Sequence, residues 1–174
     1  AAYRDVVMER MGVMAKTCGE WSVCPCHENE KGIYGDSAAR CLDLYRSVPG
    51  LAGVFDPANF IQSGQPTPEA WEMLRPYIRY LHIKDSLQDG SVVPAGSGEG
   101  HVARIIGEYL LGGGTAMTLE PHLRVFEGLA ELERAGNESG VGGMAWPSAD
   151  AAFDAAAAAL RKILNGLGKG AANA

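Results

Sequence analysis

The chain has 174 residues, 47% of them hydrophobic and 21% charged, enough for one globular domain with a real core and inconsistent with a disordered or fibrous chain. A formal net charge of −6 with scattered Lys and Arg speaks against a nucleic-acid partner, whose phosphates demand clustered basic residues. No stretch approaches the roughly 18 uninterrupted apolar residues of a membrane span, and the N-terminal AAYRDVVMERMG is charged too early for a secretory signal, so the expectation is a cytoplasmic protein.

Residues 3–19 place Val6, Val7, Met11, Val13 and Met14 at helical spacing and close on Gly19, a frequent helix stop. WSVCPCHE reads as a short strand. Asp36 or Ser37 caps a second helix, SAARCLDLYRSV, that ends before Pro49-Gly50. LAGVFD is the next strand. Thr67-Pro68-Glu69 reads as an N-cap followed by proline at the first helical position, opening a helix through WEMLRPYI whose end Pro76 shortens or kinks. RYLHIKD is the third strand; after the glycine-rich SGEG a helix covers about 101–111, GGGT turns, and AMTLE is the fourth strand. A helical stretch over 124–135, a flexible NESGVGG and an alanine-rich helix over 148–165 follow, with a frayed tail over 166–174.

Four cysteines, Cys18, Cys24, Cys26 and Cys41, lie near the start. With no export signal they read as free thiols, and Cys24 and Cys26 lack the CxxC spacing of a zinc or redox motif, which favours a place in the core.

Repeated strand, helix, strand implies parallel strands with right-handed crossovers. Each strand ends in a side chain that metals favour: Glu28, Asp56, His82 and Glu120, at intervals of 28, 26 and 38 residues, each room for one helix and two loops. Alternation along a strand puts Cys24, Cys26 and Glu28 on one face, as it does Ala52, Val54 and Asp56, then Tyr80 and His82, then Ala116, Thr118 and Glu120. The opposite faces hold Leu51, Phe55, Leu81, Ile83, Met117 and Leu119, so one face is small or polar and the other large and apolar. That division suits a barrel interior on one side and outer helices on the other.

The ordered segments HENEKGIYGD, FDPANFIQSG, YLHIKD, VPAGSGEG and TLEPHL resemble the xylose-isomerase-like TIM-barrel superfamily of sugar and sugar-phosphate isomerases and epimerases. The resemblance is dense over about residues 20–123. It implies an α/β fold, the C-terminal part of a (β/α)8 barrel with four parallel strands and flanking helices, as one partial domain over 1–165. It also implies that Glu28, Asp56, His82 and Glu120 hold one divalent cation. Three carboxylates and an imidazole suit Mn²⁺, Mg²⁺ or Co²⁺, with Zn²⁺ a further candidate. In epimerase-type relatives the two ligand glutamates move a proton from opposite sides of the substrate, roles that fall here on Glu28 and Glu120.

Asn59, Lys84, Glu99 and His122 are the candidate substrate contacts, each with a plainer alternative. Asn59 stands where relatives often hold a substrate-contacting histidine, and is equally a turn cap. Lys84 shares the His82 face and suits a hydroxyl, a phosphate or a salt bridge within the barrel. Glu99 lies in a glycine-rich loop at the same end; His122 sits just past Glu120, in contact with it or merely exposed. Glu30 reads as a loop charge and Asp85 as a residue that orients a loop. SGEG before a helix invites a phosphate, though it lacks the lysine and serine of a P-loop.

A full barrel has eight strands and about 250 residues. The expectation is therefore a portion of a longer enzyme, whose open sheet edges favour pairing with another copy. Two other readings stand beside it. An apurinic-site endonuclease of the same superfamily would need more histidines for its three zinc ions, and a non-catalytic remnant would bind no metal.

Overall fold

The computed structural model describes residues 3–123 and 146–171. The chain alternates from the start: α1 (Arg4–Glu20), β1 (Cys26–Glu28), α2 (Ala38–Ser47), β2 (Ala52–Phe55), α3 (Pro57–Gln62) and α4 (Thr67–Leu74). A 3-10 turn, Arg75–Tyr77, then feeds β3 (Ile78–Ile83). A small hairpin of β4 (Asp85–Ser86) and β5 (Val92–Val93) follows, then α5 (Val102–Leu111), β6 (Met117–Leu119) and α6 (Ala149–Ala171). β1, β2, β3 and β6 form one sheet in that order, with every pairing parallel. This is part of a TIM barrel, and the expected fold class is the one observed.

The two faces of the sheet differ as the alternation requires. Phe55, Leu81 and Ile83 are buried on the outer face in one cluster with Leu44 of α2, Trp71 of α4 and Ile105 of α5. Phe55 meets Trp71 edge to face at 5.2 Å and Phe60 of α3 at 5.0 Å. Burial of each such side chain contributes about 1.5–3 kcal/mol, so this seam between sheet and helices dominates the stability. On the inner face Cys26 and Thr118 are exposed while Ala52 and Tyr80 are half-buried. Cys24 and Cys26 are therefore not core residues, contrary to expectation: among the described residues the sheet has four strands, too few to close a barrel, and β1 is at its edge. The buried thiol is Cys41, which donates to the Gly35 carbonyl and is pushed up to about 12 by burial.

α1 packs Val7, Met8 and Met11 against the core and leaves Val6, Val13 and Met14 exposed. Arg4 fastens it to α2 with two hydrogen bonds to the Asp43 carboxylate, at 2.6 and 2.7 Å.

Local differences from the sequence reading have local causes. α3 has only six residues, five of them buried, so it shows no amphipathic period. The β4–β5 strands are two residues each, too short to alternate. Thr67 is the first residue of α4 rather than its cap, which is Pro66. α6 continues through Ala171 where a frayed tail was expected from 166. Leu160, Ile163, Leu164 and Leu167 hold it against the core, and Gly107 makes room for Leu167: a Cβ there would lie 3.1 Å from Leu167 Cδ2. The helix expected over 124–135 and the connection over 137–143 lie outside the described residues.

Candidate metal centre

Parallel strands carry their C-terminal ends to one side, and four of those ends build the centre. Glu28 is the last residue of β1, Asp56 directly follows β2, His82 is the fifth residue of β3, and Glu120 directly follows β6. The β3–β6 register pairs His82 with Thr118, and the Glu120 N–H extends the ladder to the Ile83 carbonyl. One ligand atom from each of the four lies within 4.8 Å of the others.

His82 stands between two carboxylates, its Nδ1 3.0 Å from Glu28 Oε1 and 2.8 Å from Glu120 Oε2. Hydrogen bonding to Glu120 first, and to Glu28, pushes its pKa up to about 10. His122, in the left-handed region at φ 41°, brings Nε2 to 3.1 Å from Glu120 Oε1. Its bond, with that from His82, holds Glu120 well below the usual carboxylate range.

Asp56 is fully buried. Its Oδ1 accepts the Asn59 backbone N–H and caps α3, while Oδ2 lies 2.9 Å from Lys84 Nζ. One oxygen of Asp56 thus caps the helix and the other is left to a cationic partner. Burial pushes Asp56 up to about 6 against the opposing pull of Lys84. Burial lowers Lys84 in turn, but the Asp56 charge outweighs it and leaves the ammonium raised.

The remaining candidates separate into two groups. Asn59 and Lys84 sit within the cluster, as does His122. The Asn59 amide donates to Glu28 Oε1 at 3.2 Å, Glu30 Oε2 at 3.2 Å and the Asn29 carbonyl at 3.0 Å, so it braces Glu28. Glu99 goes elsewhere: its carboxylate accepts from Gln88 of the β4–β5 hairpin at 2.7 Å. Asn29 went unnoticed in the sequence. It is buried and grips the Asp56 main chain from both sides, Asn29 Nδ2 donating to Asp56 O at 2.9 Å and Asp56 N donating to Asn29 Oδ1 at 2.8 Å. An amide set between two acids at a strand end, in HENE, was the available signal.

The glycine-rich loop holds a carboxylate of the protein itself. Asp85 Oδ1 accepts the Ser86 and Gly100 N–H groups at 2.9 Å each, and Oδ2 accepts those of Gly96 and Gly98 at 2.8 and 3.0 Å. The donors that would have cradled a phosphate are taken.

The residues fit a divalent cation. Asp56 Oδ2 and Glu120 Oε2 are buried, and their partners among the described residues are the nitrogens of Lys84 and His82, 2.9 and 2.8 Å away. A buried carboxylate is costly unless a cation, side chain or metal, completes it. Oxygen donors with one imidazole suit Mn²⁺, Mg²⁺ or Co²⁺.

No protein-family model and no curated protein sequence matches the chain. Solved structures do. A xylose isomerase domain protein from Planctomyces limnophilus is 21% identical with a TM-score of 0.66, over 98% of this chain and 55% of that one. D-psicose 3-epimerase from Clostridium cellulolyticum H10, solved with D-tagatose, is 17% identical with a TM-score of 0.68, over 94% and 56%. A xylose isomerase-like TIM-barrel protein from Mycobacterium smegmatis, in complex with magnesium, is 15% identical with a TM-score of 0.65, over 95% and 52%. The chain spans about half the length of the structures it matches. Strand order, the faces of the sheet and these likenesses together give the chain the fold of the xylose-isomerase-like TIM barrels, in a portion about half a barrel long.

Proposed function

We propose that the chain is the C-terminal portion of a divalent-metal-dependent sugar or sugar-phosphate isomerase or epimerase, acting by proton transfer next to a carbonyl through an enediolate. The observation that carries this is the convergence of Glu28, Asp56, His82 and Glu120, with two buried carboxylate oxygens held by cationic side chains alone among the described residues. The cation these four would hold supplies Lewis-acid polarisation of a substrate carbonyl. Proton transfer belongs to the two glutamates, which enter from β1 and β6, the opposite edges of the sheet. Asn59 aims Glu28, and His122 aims Glu120. Asn59 and His122 also reach the sugar hydroxyls in this reading; Lys84 and Glu99 are spoken for by Asp56 and Gln88.

Among the described residues β1 and β6 are the edges of the sheet, and in this reading further strands complete it, from the rest of a longer polypeptide or from a second copy. No described helix is long and apolar enough to cross a membrane, in keeping with a cytoplasmic enzyme of small sugars.

The test is Mn²⁺ binding followed by hydrogen exchange. Calorimetry should find Mn²⁺ bound, with affinity at least about 100-fold weaker in Glu28→Gln and Glu120→Gln, since loss of a ligand costs no less than loss of its support. A panel of ketoses and ketose phosphates in D₂O should then show Mn²⁺-dependent deuterium uptake beside the carbonyl of at least one, absent in both variants. Mn²⁺ binding with no exchange on any ketose would overturn the reaction and leave the metal centre standing.

A further inference from the structure

Beside Asp85, which backbone donors saturate, four carboxylates gather at this end of the sheet: Glu28, Glu30, Asp56 and Glu120. One cation uses three of them with His82. A carboxylate beside such an ion can also serve a second one, because two-metal sites hold their ions about 3.5–4 Å apart. At Asp56, Oδ1 is engaged by the Asn59 N–H, and Oδ2, the oxygen a second ion would share with the first, has Lys84 Nζ 2.9 Å away.

We propose that the Lys84 ammonium takes the place of a second metal ion, restricting the centre to one; this rests on the metal-dependent reading above. Nζ lies 2.9 Å from Asp56 Oδ2 on a side chain only 5% exposed, and it also stands in the field of Glu120 and Glu30. An ammonium is a compact point charge with three donors, the side chain closest to a bound cation in size and charge. Glu30, the carboxylate left over, is engaged by the Asn59 amide, a neutral donor. With Lys84 present, a single divalent ion leaves the four carboxylates with a net charge of −1, one positive charge short of neutral. With Lys84 replaced by a neutral residue, two ions would neutralise them. Lys84 thus sets how many ions the carboxylates demand.

A plain buried salt bridge would support folding and have no effect on metal count, so the decisive measurement is stoichiometry. Wild-type chain and Lys84→Arg should each bind one Mn²⁺ in calorimetry and show the electron paramagnetic resonance of an isolated ion. Lys84→Gln and Lys84→Glu, which put an oxygen donor where the ammonium stood, should take up a second, weaker Mn²⁺ whose spin couples to the first. Circular dichroism identifies the variants that fold, and either of the two suffices. Wild type binding two coupled ions overturns the proposal without any variant. One uncoupled ion on a folded Lys84→Gln or Lys84→Glu overturns it while leaving the metal centre intact. Wild type binding no Mn²⁺ overturns the functional reading, and this inference with it.

Discussion

Two fully buried aspartates stand at the same end of the sheet and are satisfied in opposite ways. Asp85 accepts four backbone N–H groups, two on each oxygen, all from Ser86 and the loop that closes over it. Asp56 accepts one backbone N–H and leaves its second oxygen to a cation. Neutral donors fixed in the main chain saturate Asp85, so it has no capacity for a ligand and serves as the anchor of a loop. Asp56 is compensated by charge, and charge is exchangeable: an incoming metal ion can complete the oxygen that no N–H completes. Burial alone does not separate a structural acid from a functional one. The kind of partner does.

The largest effect should come from removing the anchor. Asp85→Ala strands four N–H groups, and an unsatisfied buried polar group costs about 1–3 kcal/mol, so urea unfolding should show a loss of about 3 kcal/mol or more even if water reaches some of them. Asp85→Asn is the sharper test. Whichever way the amide is turned, its NH₂ faces two N–H donors, so this near-isostere should recover well under half of the loss. The glycines are part of the same device, since a Cβ at Gly98 would lie 2.4 Å from Asp85 Oδ1 and 2.5 Å from the Ser86 carbonyl. If both variants unfold within about 0.5 kcal/mol of wild type, the range of ordinary surface changes, the contrast with Asp56 collapses.

A smaller effect of a different kind is expected on the Asp56 side. Asn59→Ala leaves the helix cap in place, because the cap uses the backbone N–H, and removes only the amide that braces Glu28 and Glu30. Stability should fall by only about 1 kcal/mol. Mn²⁺ affinity should fall about 10–100-fold, the usual consequence of losing support behind a ligand. Calorimetry and urea unfolding on the same sample separate the two; equal and small changes in both would make Asn59 a turn residue and nothing more.

Much of this was legible in the sequence because strand parity and strand ends are periodic properties. Alternation placed Phe55, Leu81 and Ile83 outward and Glu28 and His82 inward, and the structure agrees. A loop-orienting role for Asp85 was also anticipated. What escaped was whatever depends on a single side chain's aim. Asn29 and Asn59 carry no period, and their importance lies in which of several nearby acceptors each amide meets. The expectation for Cys24 and Cys26 failed for a global reason: hydrophobicity says a thiol can be buried, but only the closed or open state of the barrel decides whether the inner face is. α6 outran its expected end because Leu167 found a glycine on another helix, a tertiary contact that no local glycine rule contains.

A third carboxylate, Asp43, sharpens the comparison from the solvent side with the smallest expected effect. It receives Arg4 at 2.6 and 2.7 Å and the Tyr34 hydroxyl at 2.5 Å, on side chains that are 40% exposed for Arg4 and 31% for Asp43. The Arg4 hydrogen bonds first, then that of Tyr34, hold Asp43 well below the usual carboxylate range. A depressed folded pKa stabilises the protein above the unfolded value of about 3.9, and the contribution is lost as pH falls through the folded value. The gap in urea midpoint between wild type and Asp43→Asn should therefore be widest above about pH 5 and narrow steadily below about pH 4. It should also shrink in 1 M NaCl, where charges are screened over about 3 Å. Asp85 supplies the control, because its four donors are neutral backbone groups. The Asp85→Ala deficit should survive the same salt unchanged, and a deficit that shrank with it would mean that Asp85, too, is held by charge.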